Sequence, residues 1–309
     1  MNRLIIFHVL VLLAFFGIAP HWSILAGVVL SFVLKLSVAD QRLIKTWSSR
    51  ILQASIVLLG AALNFQSVLK QGVSGLLVTF FSIAIVLGLG EMLARLFQVS
   101  PPLSHLISVG TAICGGSAIG AVSPVLKADN LSIATAMGVV FLLNAVAVFT
   151  LPWLGHQFGL SQIEFGNWAA LAIHDTSAVV AASAAYGEEA LGHATTLKLT
   201  RALWIIPVAL LFTFRQKGKT QMSYPWFILF FLAMSVLFTF LPQISDAIPL
   251  LKMFAKNGFT ITLFLIGLSL NKEQLLSIGT RTIGYGVTLW LLTLILSFFY
   301  VVSFHQGSL

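Results

Sequence analysis

The sequence predicts an all-α polytopic membrane protein of about eleven transmembrane helices, with discontinuous helices and an inverted repeat. Three observations predict it. Of 309 residues, 58% are hydrophobic and only 8% charged, with a mean hydropathy of +1.00. Apolar runs of about 20 residues, each enough to cross about 30 Å of hydrocarbon, recur from end to end. Second, two polar stretches interrupt such runs and resemble each other: Ala112-Ile113-Cys114-Gly115-Gly116-Ser117-Ala118-Ile119 and Ala172-Ile173-His174-Asp175-Thr176-Ser177-Ala178-Val179. At an offset of 60, Ala112/Ala172, Ile113/Ile173, Ser117/Ser177, Ala118/Ala178, Ala121/Ala181 and Ser123/Ser183 are identical. Small and polar groups thus stand where lipid demands leucines, as in transporters that build a solute site from broken helices. Third, Leu58–Asn64 resembles Leu265–Asn271 at an offset of 207. These lie on the third and tenth spans, seven crossings apart and so oppositely directed, the sign of an inverted repeat.

The spans begin near residues 4, 22, 50, 73, 103, 131, 167, 195, 225, 248 and 279. No linker or low-complexity block separates them, so residues 1–309 read as a single transmembrane transporter domain. The first span resembles a signal peptide, with Arg3 ahead of an apolar run that ends at Pro20. No small-residue cleavage site follows and a second span begins at once, so it counts as a crossing. Arg3, Lys35, Arg42, Lys45, Arg50, Arg95, Arg215, Lys217, Lys219, Lys272 and Arg281 then fall on one side. Lys70, Lys127, Lys252 and Lys256 fall on or towards the other. The positive-inside rule puts the N-terminus in the cytoplasm and the C-terminus outside. Glu91 and Arg95, four apart at a helix end, read as a structural pair.

In the fifth span, Gly110 to Gly116 removes side chains where a continuous helix wants them, and Pro124 lacks an N–H near the end. A break at Cys114, Gly115 and Gly116 would expose N–H groups beside Ser117, a ready anion site. The alternative is that the glycines only admit a neighbouring helix. In the seventh span, His174 and Asp175 sit in a run from Trp168 to Ala185 that is otherwise apolar, small or hydroxylated. Each ionisable group there costs about 2.5–3.5 kcal/mol on insertion scales, so neither faces lipid. A histidine beside a carboxylate can exchange protons near neutral pH, which makes the pair a proton-coupling candidate; an inert interhelical pair is the alternative. Thr176 and Ser177 add hydroxyls to the same stretch. Lys198 and Arg201 share one face of the eighth span and bring two positive charges to the pocket if they point inward, or snorkel to the interface if not. Lys127 ends the fifth span, where capping and substrate roles both suit a cation, and Lys256 is a weaker candidate.

A net charge of +8 lies mainly in short loops, where it sets topology, so nucleic acid is not the expected partner. One cysteine, Cys114, allows no intramolecular disulfide, and no Cys/His cluster has zinc spacing. No cofactor is expected. No P-loop motif is present, which leaves an ion gradient as the energy source. The surplus of embedded cations over carboxylates favours an anionic solute. Two rival classes are a membrane-embedded enzyme using Cys114, His174 and Asp175, and a non-transporting sensor or assembly subunit.

The string Ile113–Ile119, then Ser123-Pro124-Val125-Leu126-Lys127-Ala128, then His174–Ala182, and Lys198 with Arg201 before Pro207 resemble the YeiH-type family of bacterial inner-membrane proteins. The likeness runs from the stretch near Gly60 to that near Gly267. Here His174 is followed by Asp175, a carboxylate of shorter reach than the glutamate that some relatives carry. The resemblance implies a sulfate exporter in the bacterial inner membrane. Through kinship with cation/proton antiporters and bile-acid symporters, it also implies a core of crossed, broken helices and a panel that moves against it. The expectation is therefore a secondary transporter that exports a small oxyanion, with proton coupling through His174 and Asp175. Cys114, Gly115, Gly116, Ser117, Thr176, Ser177, Lys198, Arg201 and Lys127 are the candidate substrate residues. Its partners are a small anion, protons and the lipid bilayer, with homo-oligomers left open.

Overall fold

The computed structural model describes residues 20–34, 36–216, 226–268 and 278–305, and every regular element among them is helical. In chain order these are α1 (Pro20–Val33), α2 (Val38–Gly60), α3 (Phe65–Phe97), α4 (Pro101–Ala112), α5 (Gly116–Val122) and α6 (Asn130–Gln157). Then come α7 (Gln162–Ala172), α8 (Thr176–Tyr186), α9 (Glu188–Leu203), α10 (Ile205–Gln216), α11 (Trp226–Phe240), a 3-10 turn at Pro242–Ala247, α12 (Ile248–Leu268) and α13 (Thr280–His305). The starts follow local chemistry. Ser37 accepts from the Asp40 N–H at 3.1 Å, Asp129 accepts from the Ser132 N–H at 3.2 Å, and Ser161 with Glu164 closes a capping box on α7. Pro101 and Pro102 open α4, where their missing N–H groups cost nothing. The first expected span, Arg3, Lys35, Lys217, Lys219, Asn271, Lys272 and the C-terminus at Leu309 lie outside the described residues.

The chain forms two compact units, with α3 starting in the first and belonging to the second from Gln71 on. In the first unit, Ile44 of α2 packs on Phe264, Leu265 and Leu268 of α12. Further along α2, Ser55 lies against Gly258 of α12. The third and tenth spans of the sequence, α2 and α12, are therefore antiparallel neighbours. Ser23 of α1 donates to the Thr260 carbonyl at 2.6 Å, and Ser235 of α11 to that of Leu63 at 2.7 Å.

In the second unit, α13 serves as a ruler through the membrane. Near its start, Arg281 donates to the Gln98 side chain at 3.0 Å, and the Tyr285 hydroxyl reaches Ser108 at 2.6 Å and the Gly90 carbonyl at 3.2 Å. At its middle, Trp290 Nε1 donates to the Ala172 carbonyl at 3.1 Å. Near its end, the Phe298 ring lies 4.8 Å from that of Phe158. Thus α3 ends and α4 starts at the Arg281 face, while α6 ends and α7 starts at the Phe298 face. Val139 of α6 touches Gly286, so α6 runs alongside α13 in the same direction and also starts at the Arg281 face. Between two starts at one face, α4 and α5 must go in and come back. The Ile119 side chain lies over Gly110, as such a fold-back requires.

The second break behaves likewise from the opposite side. Tyr186, last in α8, stacks on Phe165 at 3.9 Å and donates to the Leu160 carbonyl at 2.5 Å, back beside the start of α7. Then α9 runs parallel to α7, with Lys198 reaching the Ala170 carbonyl at 3.3 Å, and α10 continues until Phe212 meets His105 of α4 at 5.4 Å. Each of α7 and α8 has 11 residues, about 16 Å of helix, or half a bilayer. Among the described residues, five helical stretches are long and apolar enough to cross: Phe65–Phe97, Leu131–Gln157, Glu188–Phe212, Pro242–Leu268 and Thr280–Ser303.

The fifth and seventh expected crossings are therefore re-entrant hairpins, not spans. Hydropathy cannot separate the two, because a doubled-back pair of half-helices has the length and apolar content of one crossing. The correction removes two crossings and leaves the parity of the chain ends unchanged. It moves Lys127 to the face that carries Arg95 and Arg281. An impermeant maleimide should label Ser100→Cys and Ala128→Cys from one face of the membrane and Gln157→Cys and Glu189→Cys from the other. Labelling of Ser100→Cys and Ala128→Cys from opposite faces would restore a crossing at 101–122.

Candidate functional site

The two hairpin tips meet. A side chain built on Gly115 would place its Cβ 3.1 Å from the Asp175 Cβ and 3.2 Å from its Cα, tighter than ordinary contact, so the glycine lets the two tips approach this closely. Its φ of +66° and ψ of −127° also lie where only glycine is comfortable. The first tip is Ile113-Cys114-Gly115, between α4 and α5; the second is Ile173-His174-Asp175, between α7 and α8. The offset likeness in the sequence thus marks equivalent positions. Ala112 and Ala172 end the inbound half-helices, and Ser117 and Ser177 are the second residues of the outbound ones.

Breaking a helix in a bilayer leaves orphan carbonyls at one half-helix end and orphan N–H groups at the other. Almost every orphan carbonyl here finds a donor. At the end of α7, Ala170 takes Lys198 Nζ at 3.3 Å and Arg201 Nη1 at 3.1 Å, Leu171 takes Nη1 at 2.6 Å, Ala172 takes Trp290 and Ile173 takes Lys198 Nζ at 2.6 Å. At the end of α4, Val109 takes the Ile113 N–H, Gly110 the Gly115 N–H, Thr111 takes Arg201 Nη2 at 3.3 Å and Ala112 Arg201 Nε at 2.5 Å. The Arg201 guanidinium thus clasps both hairpins. Two cations at two half-helix C-termini also complement the dipoles. Lys198 and Arg201, expected from sequence either to bring charge to the pocket or to snorkel to the interface, are wholly buried and turned onto backbone carbonyls.

The N–H ends are treated differently. Asp175 caps α8, accepting from the Ser177 N–H at 3.1 Å and from the Ser177 hydroxyl. Asn144 of α6 accepts the His174 and Asp175 N–H groups on its Oδ1 at 3.1 and 3.3 Å. No side chain caps α5, which starts at Gly116 with Ser117 exposed. The Asn144 Nδ2 is buried with no hydrogen-bond partner, and the His174 ring, 1% exposed, lies against the Val140 backbone of α6. Unpaired polar groups at such depth are costly, about 1–3 kcal/mol each. Asp175 and Gly116 are partly exposed at the front of the tips, and Cys114, Thr176 and Ser177 are buried beside them.

Two further candidates are elsewhere. Lys127, exposed with φ +49°, closes the turn at the open end of the first hairpin, and Lys256 is exposed on α12 in the first unit. Sequence reasoning missed Asn144 and Trp290, which position the second tip. Asn144 carried a signal, being the one amide in the apolar run Leu131–Trp153. A cavity of about 720 Å³ between α3, α7, α9 and α13 includes Leu171, Asn167 and His193 in its wall but none of the tip residues.

Comparisons with known proteins give the family of the chain. The family model described as Conserved hypothetical protein 698 matches residues 13–286. A UPF0324 membrane protein of Porphyromonas gingivalis is 45% identical over 89% of this chain and 84% of its own length. One of Bacteroides thetaiotaomicron is 44% identical over 88% and 83%, and one of Bdellovibrio bacteriovorus 41% over 93% and 90%. No solved structure gives a significant match. A model that covers most of the chain, and relatives that align along nearly all of it, place this multi-pass membrane protein in the Conserved hypothetical protein 698, or YeiH, family.

Proposed function

We propose that the protein is a secondary transporter of a small oxyanion, sulfate-like or sulfonate-like, working as an exporter in a bacterial inner membrane. The observation that carries this reading is the tip-to-tip meeting of two oppositely inserted hairpins at buried polar groups, among them the Asn144 Nδ2 with no protein partner. Half-helices that end at mid-membrane are how a membrane protein presents backbone dipoles to a solute it must release again. The N–H groups of Gly116 and Ser117, the Ser117 hydroxyl, the Asn144 amide and His174 supply donors. Lys198 and Arg201 supply positive potential from behind, and Cys114, Gly115, Thr176 and Ser177 shape the tips. His174 and Asp175 are the titratable groups through which a proton gradient acts. The basic residues Arg95, Lys127 and Arg281 gather at one face against Lys70 at the other, so the first hairpin enters from the cytoplasm and the second from outside.

The test is flux into proteoliposomes across about pH 5.5 to 8.5, with and without a pH gradient. Wild type should move an oxyanion and respond to the gradient. Asp175→Asn and His174→Gln keep size and hydrogen-bonding capacity, so they should stay folded and lose the gradient response. Wild-type pH profiles in both variants would remove proton coupling through this pair and leave anion binding to stand alone.

A further inference from the structure

We propose that the cavity of about 720 Å³ between α3, α7, α9 and α13 is a lipid site that takes one acyl chain of a membrane phospholipid. Every residue of its wall belongs to the second compact unit. Three helices place it on one side of the hairpin tips. In α7 the wall runs from Ile163, at the start of the half-helix, to Leu171, just short of the tip at Ile173. In α9 it is made by His193 and Leu197, ahead of Lys198, and in α13 by residues from Thr293 to Tyr300, past the Trp290 that bonds to Ala172. From Ile163 to Ile173 is about 15 Å of helix, half of the roughly 30 Å hydrocarbon core. The cavity therefore lies within the depth of a single leaflet, the one at the Phe298 face.

Its mouth and its lining both suit hydrocarbon. Leu77, Phe81 and Ile85 form one stripe of α3 that lines the cavity and is exposed, Leu77 by 69% and Phe81 by 60%, and Leu296 of α13 is exposed beside them. These side chains open it sideways, onto the acyl chains of the bilayer rather than onto water. Away from the mouth, Val86, Leu171 and Leu197 are buried in the wall. Much of the polar lining is spent inside the protein. Gln71 bonds to His193, Ser74 donates to the Gln71 carbonyl, and Thr293 and Ser297 donate to the Leu289 and Thr293 carbonyls of α13. A buried water needs about two to four polar partners, and a dry void forfeits dispersion contacts along its lining, so an acyl chain fits where water does not. The chain packs behind the second hairpin. Leu171 carries a carbonyl that Arg201 holds, and Leu197 adjoins Lys198, so an occupied cavity braces the end of α7.

A phospholipid with a photoreactive diazirine at the end of one chain, in proteoliposomes holding the full chain, reports where that end goes. Lipid around the protein can reach Leu77 and Phe81, but Leu171 and Leu197 are buried, so adducts on these two require a chain inside the cavity. Wild type should give adducts on both. Ser82→Phe and Val78→Phe each put a larger side chain into the wall. Either should cut these adducts at least about fivefold and leave unchanged those on Phe230 of α11, an exposed residue of the first unit. The melting temperature of the detergent-solubilised wild type should also rise more on adding phospholipid than that of the variants. Wild-type adducts confined to exposed residues overturn the proposal. A cross-link between copies through Phe81→Cys in place of buried adducts gives the cavity to a second copy and overturns it too. Adducts on Leu171 and Leu197 that persist unchanged in both folded variants overturn the placement of the chain, and an equal rise in melting temperature overturns the brace. The wild-type adducts decide on their own should neither variant fold.

Discussion

Replacing Gly115 by alanine should cut transport at least about tenfold, while Gly120→Ala, five residues on in the same hairpin, should leave it near the wild-type rate. The contrast is geometric. A methyl group at Gly115 meets the Cβ and Cα of Asp175 at 3.1 and 3.2 Å, tighter than ordinary van der Waals contact, and the partner is partly backbone. The φ of +66° adds backbone strain of about 1–2 kcal/mol for any L-residue. Relief comes by shifting Asp175, and with it the second tip, away from the first, and the tips are the proposed site. A methyl at Gly120 meets nothing within 4 Å. Displacements of about 1 Å at a solute site cost large factors in rate, so flux in Gly115→Ala should fall at least about tenfold with the protein still in the membrane. Flux assays normalised to folded protein check this. Equal activity of the two variants would mean that the tips do not form the site.

How far the sequence could be read follows from what kind of information each feature leaves. Composition and apolar run length are local quantities, and they placed the chain in the bilayer. The tip residues were legible because glycine at Gly115 and ionisable groups at His174 and Asp175 are expensive in an apolar run, whatever surrounds them. Direction was not legible. A re-entrant hairpin and a broken span share one hydropathy profile, and only the partners of Tyr186, Phe212 and Tyr285, 26 to 195 residues away along the chain, tell them apart. One misplaced basic residue did hint at it: with the fifth stretch crossing, Lys127 stood as an exception to the positive-inside rule, and the hairpin removes the exception. The carbonyl partners of Lys198 and Arg201 were not legible for the same reason. Charge and burial could be inferred, but not whether each cation turns to a solute or to a carbonyl.

That last distinction has a large experimental consequence. Arg201→Met should prevent accumulation of folded protein, because the guanidinium holds carbonyls of both hairpins: Thr111, Ala112, Ala170 and Leu171. Lys198 still reaches Ala170, but the other three would lose their donor where Arg201 is wholly buried. At about 1–3 kcal/mol for each unsatisfied buried group, the loss is about 3–9 kcal/mol, comparable with the whole stability of a typical domain. Arg201→Lys keeps the charge but not the planar fork, and an ammonium cannot span two hairpins as the guanidinium does, so it should rescue only in part. Trp290→Phe removes a single bond, to Ala172, and should cost the least. Thermal stability of the detergent-solubilised protein should therefore fall in the order wild type, Trp290→Phe, Arg201→Lys, Arg201→Met. A solute-binding arginine behaves otherwise: its loss raises the half-saturation concentration in a protein that remains folded. A stable Arg201→Met with weakened anion affinity would overturn the clasp and return Arg201 to direct contact with the solute.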